Sequence, residues 1–369
     1  MRILRVAQHL YPAVRGGAPY HVHAMSRDQA AMGHDVTVLT THHDRSLPAT
    51  ETTDGYTVVR VPPGVAVAGN HVSPAVARYL WREAGDFDVV HAHSHLYFAT
   101  NMAAVVRRVG GPPLAITNHG FYSQSAPERV FRWYLRTLGR WTFNRADAVC
   151  CYTDVDRDRL RESGVSSRIE VIPNGIDTDR FTPTGPTSDR IDHDGPVLLF
   201  VGRLVEGKRP ALVLEAYEQL AADRSDLGLV VCGDGPLRRE LEARAPQGVQ
   251  FPGSVPYADM PAIYRSADVL ALPSRAEGTP RVIMEALASG VGVVCSDLAH
   301  LRSAFGDAVR YVDPDQPAGA LAEAIGVELA ADRAAGLDDS FRWERTVAET
   351  TEVLASLVTA PSAGESISP

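Results

Sequence analysis

Two carboxylates stand eight residues apart in the stretch EGTPRVIME, which runs from Glu277 to Glu285. The stretch has the grammar of a helix start: Thr279 is a candidate N-cap and Pro280 suits the first helical position. Val282, Ile283, Ala286 and Leu287 would then form the buried stripe, with Glu285 at its edge and Glu277 on the loop before the helix. Free backbone N–H groups at such a start point outward with partial positive charge and suit a phosphate. Carboxylates do not bind phosphate; they accept hydrogen bonds from hydroxyls. Two of them around an anion site point to a ligand with hydroxyls on both sides of a phosphate group. A loop glutamate followed by a surface-helix glutamate is the plainer alternative.

A second stretch, VGRLVEGKRP (201–210), supplies cations. Arg203 and Lys208 fall on the loop between an apolar strand and the next helix, where both could neutralise phosphate oxygens. The chain has 36 basic residues and Lys208 is its only lysine. A compact ammonium is not interchangeable with a guanidinium, so that position stands out.

These loops need a scaffold that brings them together. In the first half, RILRVA, DVTVLT, TVVRVP, DVVHAH, LAITNHG, AVCCYT and RIEVIP read as buried strands, with helix-period segments between most of them. The segment 174–196 is rich in Gly, Pro, Asp and Thr and has no periodicity, which marks a domain boundary. The alternation then restarts with VLLFVG, LGLVVCG, VQF, DVLALP, VGVVCSD and AVRYV. Helices are expected at about 209–222, 236–244, 258–266, 280–289 and 317–330. Alternation of this kind gives parallel sheets covered on both faces. The expected organisation is an N-terminal Rossmann-like domain over 1–176, a linker over 177–194 and a second Rossmann-like domain over 195–339. A last helix at about 340–358 caps either domain, and 359–369 is a polar tail. Two doubly wound units in tandem would place a cleft at the carboxyl ends of both sheets.

Composition narrows the class. The 369 residues carry a net charge of −9 and 45% apolar residues, which suits a globular protein and gives no basic field for nucleic acid. No apolar run approaches the ~20 residues that span a bilayer, and the first residues do not read as a signal peptide. Four cysteines without a CxxC pair fit reduced core thiols, so a cytoplasmic protein is expected.

Taken together, EGTPRVIMEALASG resembles the Glu-x7-Glu motif of retaining GT-B glycosyltransferases of the glycosyltransferase group 1, or GT4, type. VGRLVEGKRP resembles their Gly-Arg…Lys phosphate loop, CGDGPLRREL their nucleotide-side loop, and RIEVIPNGID the segment leaving their first domain. GGAPYHVHAMSRDQAAMGHDVTVLT resembles their opening glycine loop and helix, so the resemblance spans about 1–358. It implies the GT-B fold and transfer of a hexose-type sugar from a nucleotide-diphosphate sugar to a hydroxyl acceptor, in cell-surface glycan or glycolipid synthesis. It implies that Arg203 and Lys208 hold the donor diphosphate, Glu285 the ribose and Glu277 the transferred sugar. Gly278 and Thr279 would meet the phosphates, Gly16 and Gly17 would admit the diphosphate, and His119 would sit beside sugar or acceptor. The donor is a co-substrate, and neither a metal nor a resident cofactor is implied. The C-terminal segment FRWERTVAETTEVL resembles the family's crossover helix. Where many relatives carry EGFG, this chain has Glu277-Gly278-Thr279-Pro280, so proline removes one amide from the helix start. Arg281 and Met284 stand where apolar residues are common. The rival readings are a non-catalytic sugar-nucleotide binding protein and an epimerase or phosphorylase on the same fold.

Three further patterns each have a plainer reading beside the chemical one. Asp86-Phe87-Asp88 matches a metal-binding DxD, but its place just before a strand favours a strand-entry turn. His91, His93 and His95 would share one strand face without an obvious fourth zinc ligand, leaving a strand end with His93 near the acceptor. In 129–145, Arg129, Arg132, Arg136 and Arg140 fall on one helical face with aromatic residues elsewhere around it. That helix suits either peripheral contact with an anionic membrane or a solvated face.

Overall fold

The computed structural model describes residues 1–44, 46–67, 69–120, 128–331 and 336–359. The chain divides into two compact units, Met1–Pro173 with the chain from Arg345 onward, and Asn174–Glu344.

The first unit is built on β1 (Arg2–Val6), β2 (Asp35–Thr41), β3 (Thr50–Thr53) and β4 (Tyr56–Val61), followed by a separate hairpin of β5 (Val65–Val67) and β6 (Asn70–Val72). It continues with β7 (Val89–His93), β8 (Leu114–Thr117), β9 (Ala148–Cys151) and β10 (Arg168–Val171). The eight-stranded sheet runs β10-β9-β8-β7-β1-β2-β4-β3, parallel except where β3 pairs antiparallel with β4. Strand alternation sends Leu4 and Val6 to one core and Ile3 and Ala7 to the other, so both faces of β1 are covered. The terminal helix Trp343–Thr359 belongs to the second of these cores through Val353, Leu354 and Leu357. Its Thr351 hydroxyl also accepts from Gln29 Nε2 at 2.8 Å. Leu354 is fully buried against residues from β1, β2 and β4. Leu354→Ala is expected to lower the unfolding free energy by ~2–5 kcal/mol in urea titration.

The second unit contains β11 (Val197–Val201), β12 (Gly228–Cys232), β13 (Val249–Gly253), β14 (Val269–Leu272), β15 (Gly292–Ser296) and β16 (Arg310–Val312). All are parallel, in the order β13-β12-β11-β14-β15-β16. This is the doubly wound order that reverses direction between its first and fourth strands, here β11 and β14. The loops leaving those two strands are the ones that carry Arg203, Lys208, Glu277, Gly278 and Thr279.

Three expectations are corrected. Residues 177–194 are not a free linker. Phe181 is buried in the second unit's core, with its ring 5.6 Å from Tyr257 and 5.8 Å from Tyr264. The division falls at Pro173 rather than at 176, because Ile176 bridges Arg342: Ile176 N donates to Phe341 O and Trp343 N donates to Ile176 O, each at 2.9 Å. The chain leaves the second unit only after Glu344, since Phe341 is buried there and stacks on Phe305 at 5.5 Å. The low periodicity of 174–196 hid this because its core contacts come from isolated residues in a strandless segment. The polar tail expected at 359–369 lies outside the described residues beyond Thr359.

Candidate functional site

In the second unit, the β11 loop is held by the loop after β12. Gly233 lies at φ +144°, and a Cβ there would fall 1.8 Å from Gly202 O, so only glycine admits this approach. Leu204 N donates to Asp234 O at 2.9 Å, and Leu237 N donates back to Leu204 O at 3.1 Å. The β14 loop joins the β11 loop through Arg275 N to Gly207 O at 2.9 Å. Lys208 and Glu277 meet across this seam, Nζ to Oε1, at 2.5 Å. The Glu277 side chain is 4% exposed and that of Lys208 17%, so the pair is largely withdrawn from water. Arg203 is exposed on the same loop.

The helix expected at 280–289 is Arg281–Ala288, and its N-cap is Pro280 with no side-chain capping bond. Thr279 is therefore not the cap. Its hydroxyl is buried and, among the described residues, has no hydrogen-bond partner, as is the case for Ser274. A buried unpaired hydroxyl costs ~1–3 kcal/mol, and two of them occur in one loop beside Gly278.

Glu285 is 3% exposed. Its Oε1 accepts from Tyr257 OH at 3.1 Å and its Oε2 from Tyr264 OH at 2.9 Å, while Arg281 Nε lies 3.6 Å from Oε1. Burial raises the Glu285 pKa above the ordinary carboxyl value, opposed by Arg281, the two tyrosines and Arg180. Arg281 in turn donates to Gly175 O at 2.8 Å and to Tyr257 OH at 2.9 Å. The tyrosines were not legible as partners. They lie on and before the short helix Met260–Arg265, and only the fold brings that helix to Glu285.

In the first unit, Gly16 is the N-cap of the helix Gly17–Ala31 at φ +150°, and both glycines are exposed. His119 follows β8. Its Nδ1 is 2.6 Å from Tyr152 OH and its Nε2 is 3.0 Å from His93 Nδ1, and the His21 ring lies 5.2 Å from its own. The opposite nitrogen of His93, Nε2, is buried and has no hydrogen-bond partner among the described residues. Burial lowers the His119 pKa to about 4 and holds His93 well below the ordinary imidazole value, so both are neutral near physiological pH.

His91 and His93 lie together, ring centroids 4.4 Å apart, but His95 does not join them. Ser94 at φ +66° turns the chain beyond β7, and His95 packs 4.8 Å from Phe143 and bonds Asn118. Among the described residues no group of His, Cys, Asp or Glu is placed to hold a metal ion. Asp88 of the DxD accepts from Arg2 N at 2.7 Å, which is a strand-entry contact. All four cysteines are free and buried.

The basic segment is helical without a gap from 128 to 143: helix Glu128–Tyr134, a π-helical stretch Leu135–Gly139, then helix Arg140–Phe143. Tyr134 OH donates to His95 O at 2.5 Å, while Val130, Trp133 and Leu138 are exposed. Arg129, Arg136 and Arg140 are exposed too; the Arg132 side chain lies outside the described residues. Among the described residues no helix is long and apolar enough to cross a membrane.

Comparison with known proteins identifies the family. The chain matches the family model for Glycosyltransferase Family 4 over residues 15–180 and that for Glycosyl transferases group 1 over 184–330. It is 31% identical over 338 residues to the phosphatidyl-myo-inositol mannosyltransferase of Mycolicibacterium smegmatis, covering 89% of this chain and 84% of that one. Among solved structures it resembles sucrose-phosphate synthase from Thermosynechococcus elongatus, with TM-score 0.81, 21% identity and coverage of 98% of this chain and 100% of that one. It also resembles Anabaena HepE in complex with UDP-glucose, with TM-score 0.77, 18% identity and coverage of 96% and 100%. With two parallel doubly wound units and both family halves in order along one chain, this protein belongs to the group 1, GT4-type glycosyltransferases of GT-B fold.

Proposed function

We propose that the chain is a retaining glycosyltransferase that moves a hexose-type sugar from a nucleotide-diphosphate sugar to a hydroxyl acceptor in glycolipid or surface-glycan assembly. The observation that carries this reading is the Lys208–Glu277 pair on the two loops that leave β11 and β14, the place where doubly wound sheets bind ligands. Lys208 and Arg203 take the diphosphate, Glu277 the sugar hydroxyls and Glu285 the ribose. The buried hydroxyls of Thr279 and Ser274 are donors for phosphate oxygens beside the amides of Gly278 and Thr279. Gly16 and Gly17 leave the start of their helix open to an anion.

In this reading the bond between the sugar's anomeric carbon and the phosphate oxygen breaks, and negative charge grows on the diphosphate where the cations wait. The acceptor oxygen bonds the anomeric carbon from the same face, and its proton passes to the departing phosphate oxygen. Neutral His119, fixed by Tyr152 and His93, orients a hydroxyl rather than supplying charge. Charge neutralisation is assigned to side chains, with no metal or resident cofactor, so transfer is expected to persist in EDTA.

The test is calorimetric titration with GDP, UDP, ADP and their sugar conjugates, followed by acceptor screening. Binding of one nucleotide family and release of its diphosphate only with an acceptor supports transfer. Binding without any acceptor-dependent release supports the non-catalytic alternative, and phosphate-dependent release supports a phosphorylase.

A lipid-linked acceptor is favoured by the mannosyltransferase relative, whose name carries a phosphatidyl-inositol acceptor. It is favoured also by exposed Trp133, Val130 and Leu138 beside exposed Arg136 and Arg140. Amphipathic cationic segments of this kind lie on anionic bilayers. At ~1 kcal/mol per basic residue near the surface, Arg136→Glu/Arg140→Glu is expected to weaken flotation with phosphatidylserine vesicles by about tenfold or more. Equal flotation of both proteins refutes the contact.

A further inference from the structure

Arg281 breaks a local rule. It occupies the first turn of the helix Arg281–Ala288, where the partial positive charge of the free amides disfavours a cation. It is also 8% exposed, although a guanidinium is rarely buried without compensation. The compensation is specific. One nitrogen donates to Gly175 O, another to Tyr257 OH, and Nε faces Glu285 Oε1. The guanidinium also lies 5.7 Å from the Trp343 ring centroid and 5.9 Å from that of Tyr257. Its donors are turned toward these groups, so it serves Glu285 rather than a phosphate.

The groups facing Glu285 are Arg281 on its own helix, Tyr264 on the Met260–Arg265 helix, Tyr257 before that helix and, farther off, Arg180, whose guanidinium covers the Tyr257 ring at 4.8 Å. A carboxylate has about four lone-pair sites. The two tyrosine hydroxyls use one on each oxygen, and Arg281 Nε, 3.6 Å from Oε1, is beyond hydrogen-bond reach, so each oxygen keeps a site for a vicinal diol. A protonated carboxyl would spend one oxygen as a donor and spoil that symmetry.

We propose that Arg281 is a positioning residue that keeps Glu285 a carboxylate with both oxygens presented to the ribose diol of the nucleotide. This rests on the reading of Glu285 as a ribose ligand. Burial pushes Glu285 toward the acid form, and Arg281 is the largest opposing influence. Without the guanidinium the acid form is favoured further, so diol binding weakens on acidification from a higher pH than in wild type and tightens as pH rises and Glu285 loses its proton.

The test is calorimetric titration with GDP, UDP and ADP at about pH 6 and about pH 8. It uses wild type, Arg281→Met, Arg281→Gln and Arg281→Lys. Arg281→Gln retains a donor for Gly175 O and serves where the Met variant does not fold. Wild type and Arg281→Lys are expected to share one ratio of affinities between the two pH values. The neutral variants are expected to lose affinity at the lower pH by a larger factor than wild type does, as one-proton linkage requires. A neutral variant that is weaker by the same factor at both pH values has lost packing alone, and that overturns the proposal. So does a neutral variant with the wild-type ratio. Failure of wild type to bind any of the three nucleotides instead removes the donor reading itself, and this inference with it.

Discussion

Lys208→Met is expected to lower kcat by ~10²–10³, the usual effect of removing one group that meets developing charge in a transition state. It is expected to destabilise the second unit as well. Glu277 would be left with its side chain 4% exposed and without the ammonium 2.5 Å away. Breaking a buried ion pair from one side costs ~3–5 kcal/mol, because the remaining charge stays desolvated. Lys208→Met/Glu277→Leu removes both charges and is expected to recover most of that stability while remaining inactive. Urea titration and initial rates on the two variants separate the effects. Arg203 supplies the contrast. It is exposed, and among the described residues no carboxylate pairs with it. Arg203→Met should therefore lose rate by a similar factor while stability changes by no more than ~0.5 kcal/mol. If Lys208→Met were as stable as wild type, the buried pair would be no part of the unit's framework. If it kept full rate, Lys208 would be no part of the donor site.

The difference between these two cations marks what sequence can and cannot carry. Both are visible as a spacing on one loop, and the loop is visible because VLLFVG reads as a strand and PALVLEAYEQL as a helix. The partner of Lys208 is not visible. Glu277 lies 69 positions away, and the two meet because the sheet order places β14 beside β11. Glu285 shows the same limit. Its place on the 281–288 helix follows from periodicity, whereas its two tyrosines and the purpose of Arg281 depend on how the Met260–Arg265 helix packs. The short edge strand β3 and the β5–β6 hairpin were missed because three or four residues without a buried face leave no alternation to read. Phe181 was missed because a single aromatic in a Gly- and Pro-rich segment looks like loop. The Thr279 cap failed for a physical reason too: with Pro280 itself at the N-cap, the helix begins one residue later and the threonine hydroxyl no longer reaches an amide.

Glu285→Ala is expected to weaken binding of the donor nucleotide by about 10²-fold or more. Hydrogen bonds to a charged group contribute ~1.5–3 kcal/mol each, and two ribose hydroxyls would lose theirs at once, at 1.4 kcal/mol per tenfold. Two features temper the effect on folding. Arg281 would keep Gly175 O, Tyr257 OH and its aromatic neighbours, although its charge would lose the carboxylate 3.6 Å away. And Glu285 carries a pKa raised by burial, which means its ionised form costs the fold stability above the unfolded carboxyl value and that this cost fades as pH falls. Removing the carboxylate relieves that cost while forfeiting two tyrosine bonds. The same raised pKa sets the direction of ligand binding: the carboxylate is lost at a higher pH than an exposed glutamate would lose it, so donor affinity declines toward acid. Glu285→Gln has no proton to gain and should bind weakly with no such decline. Calorimetry across an acid-to-neutral series reads both features. A wild-type affinity that stays level into acid, or a Glu285→Gln variant that binds as tightly as wild type, would show that the nucleotide is held by other groups than this carboxylate.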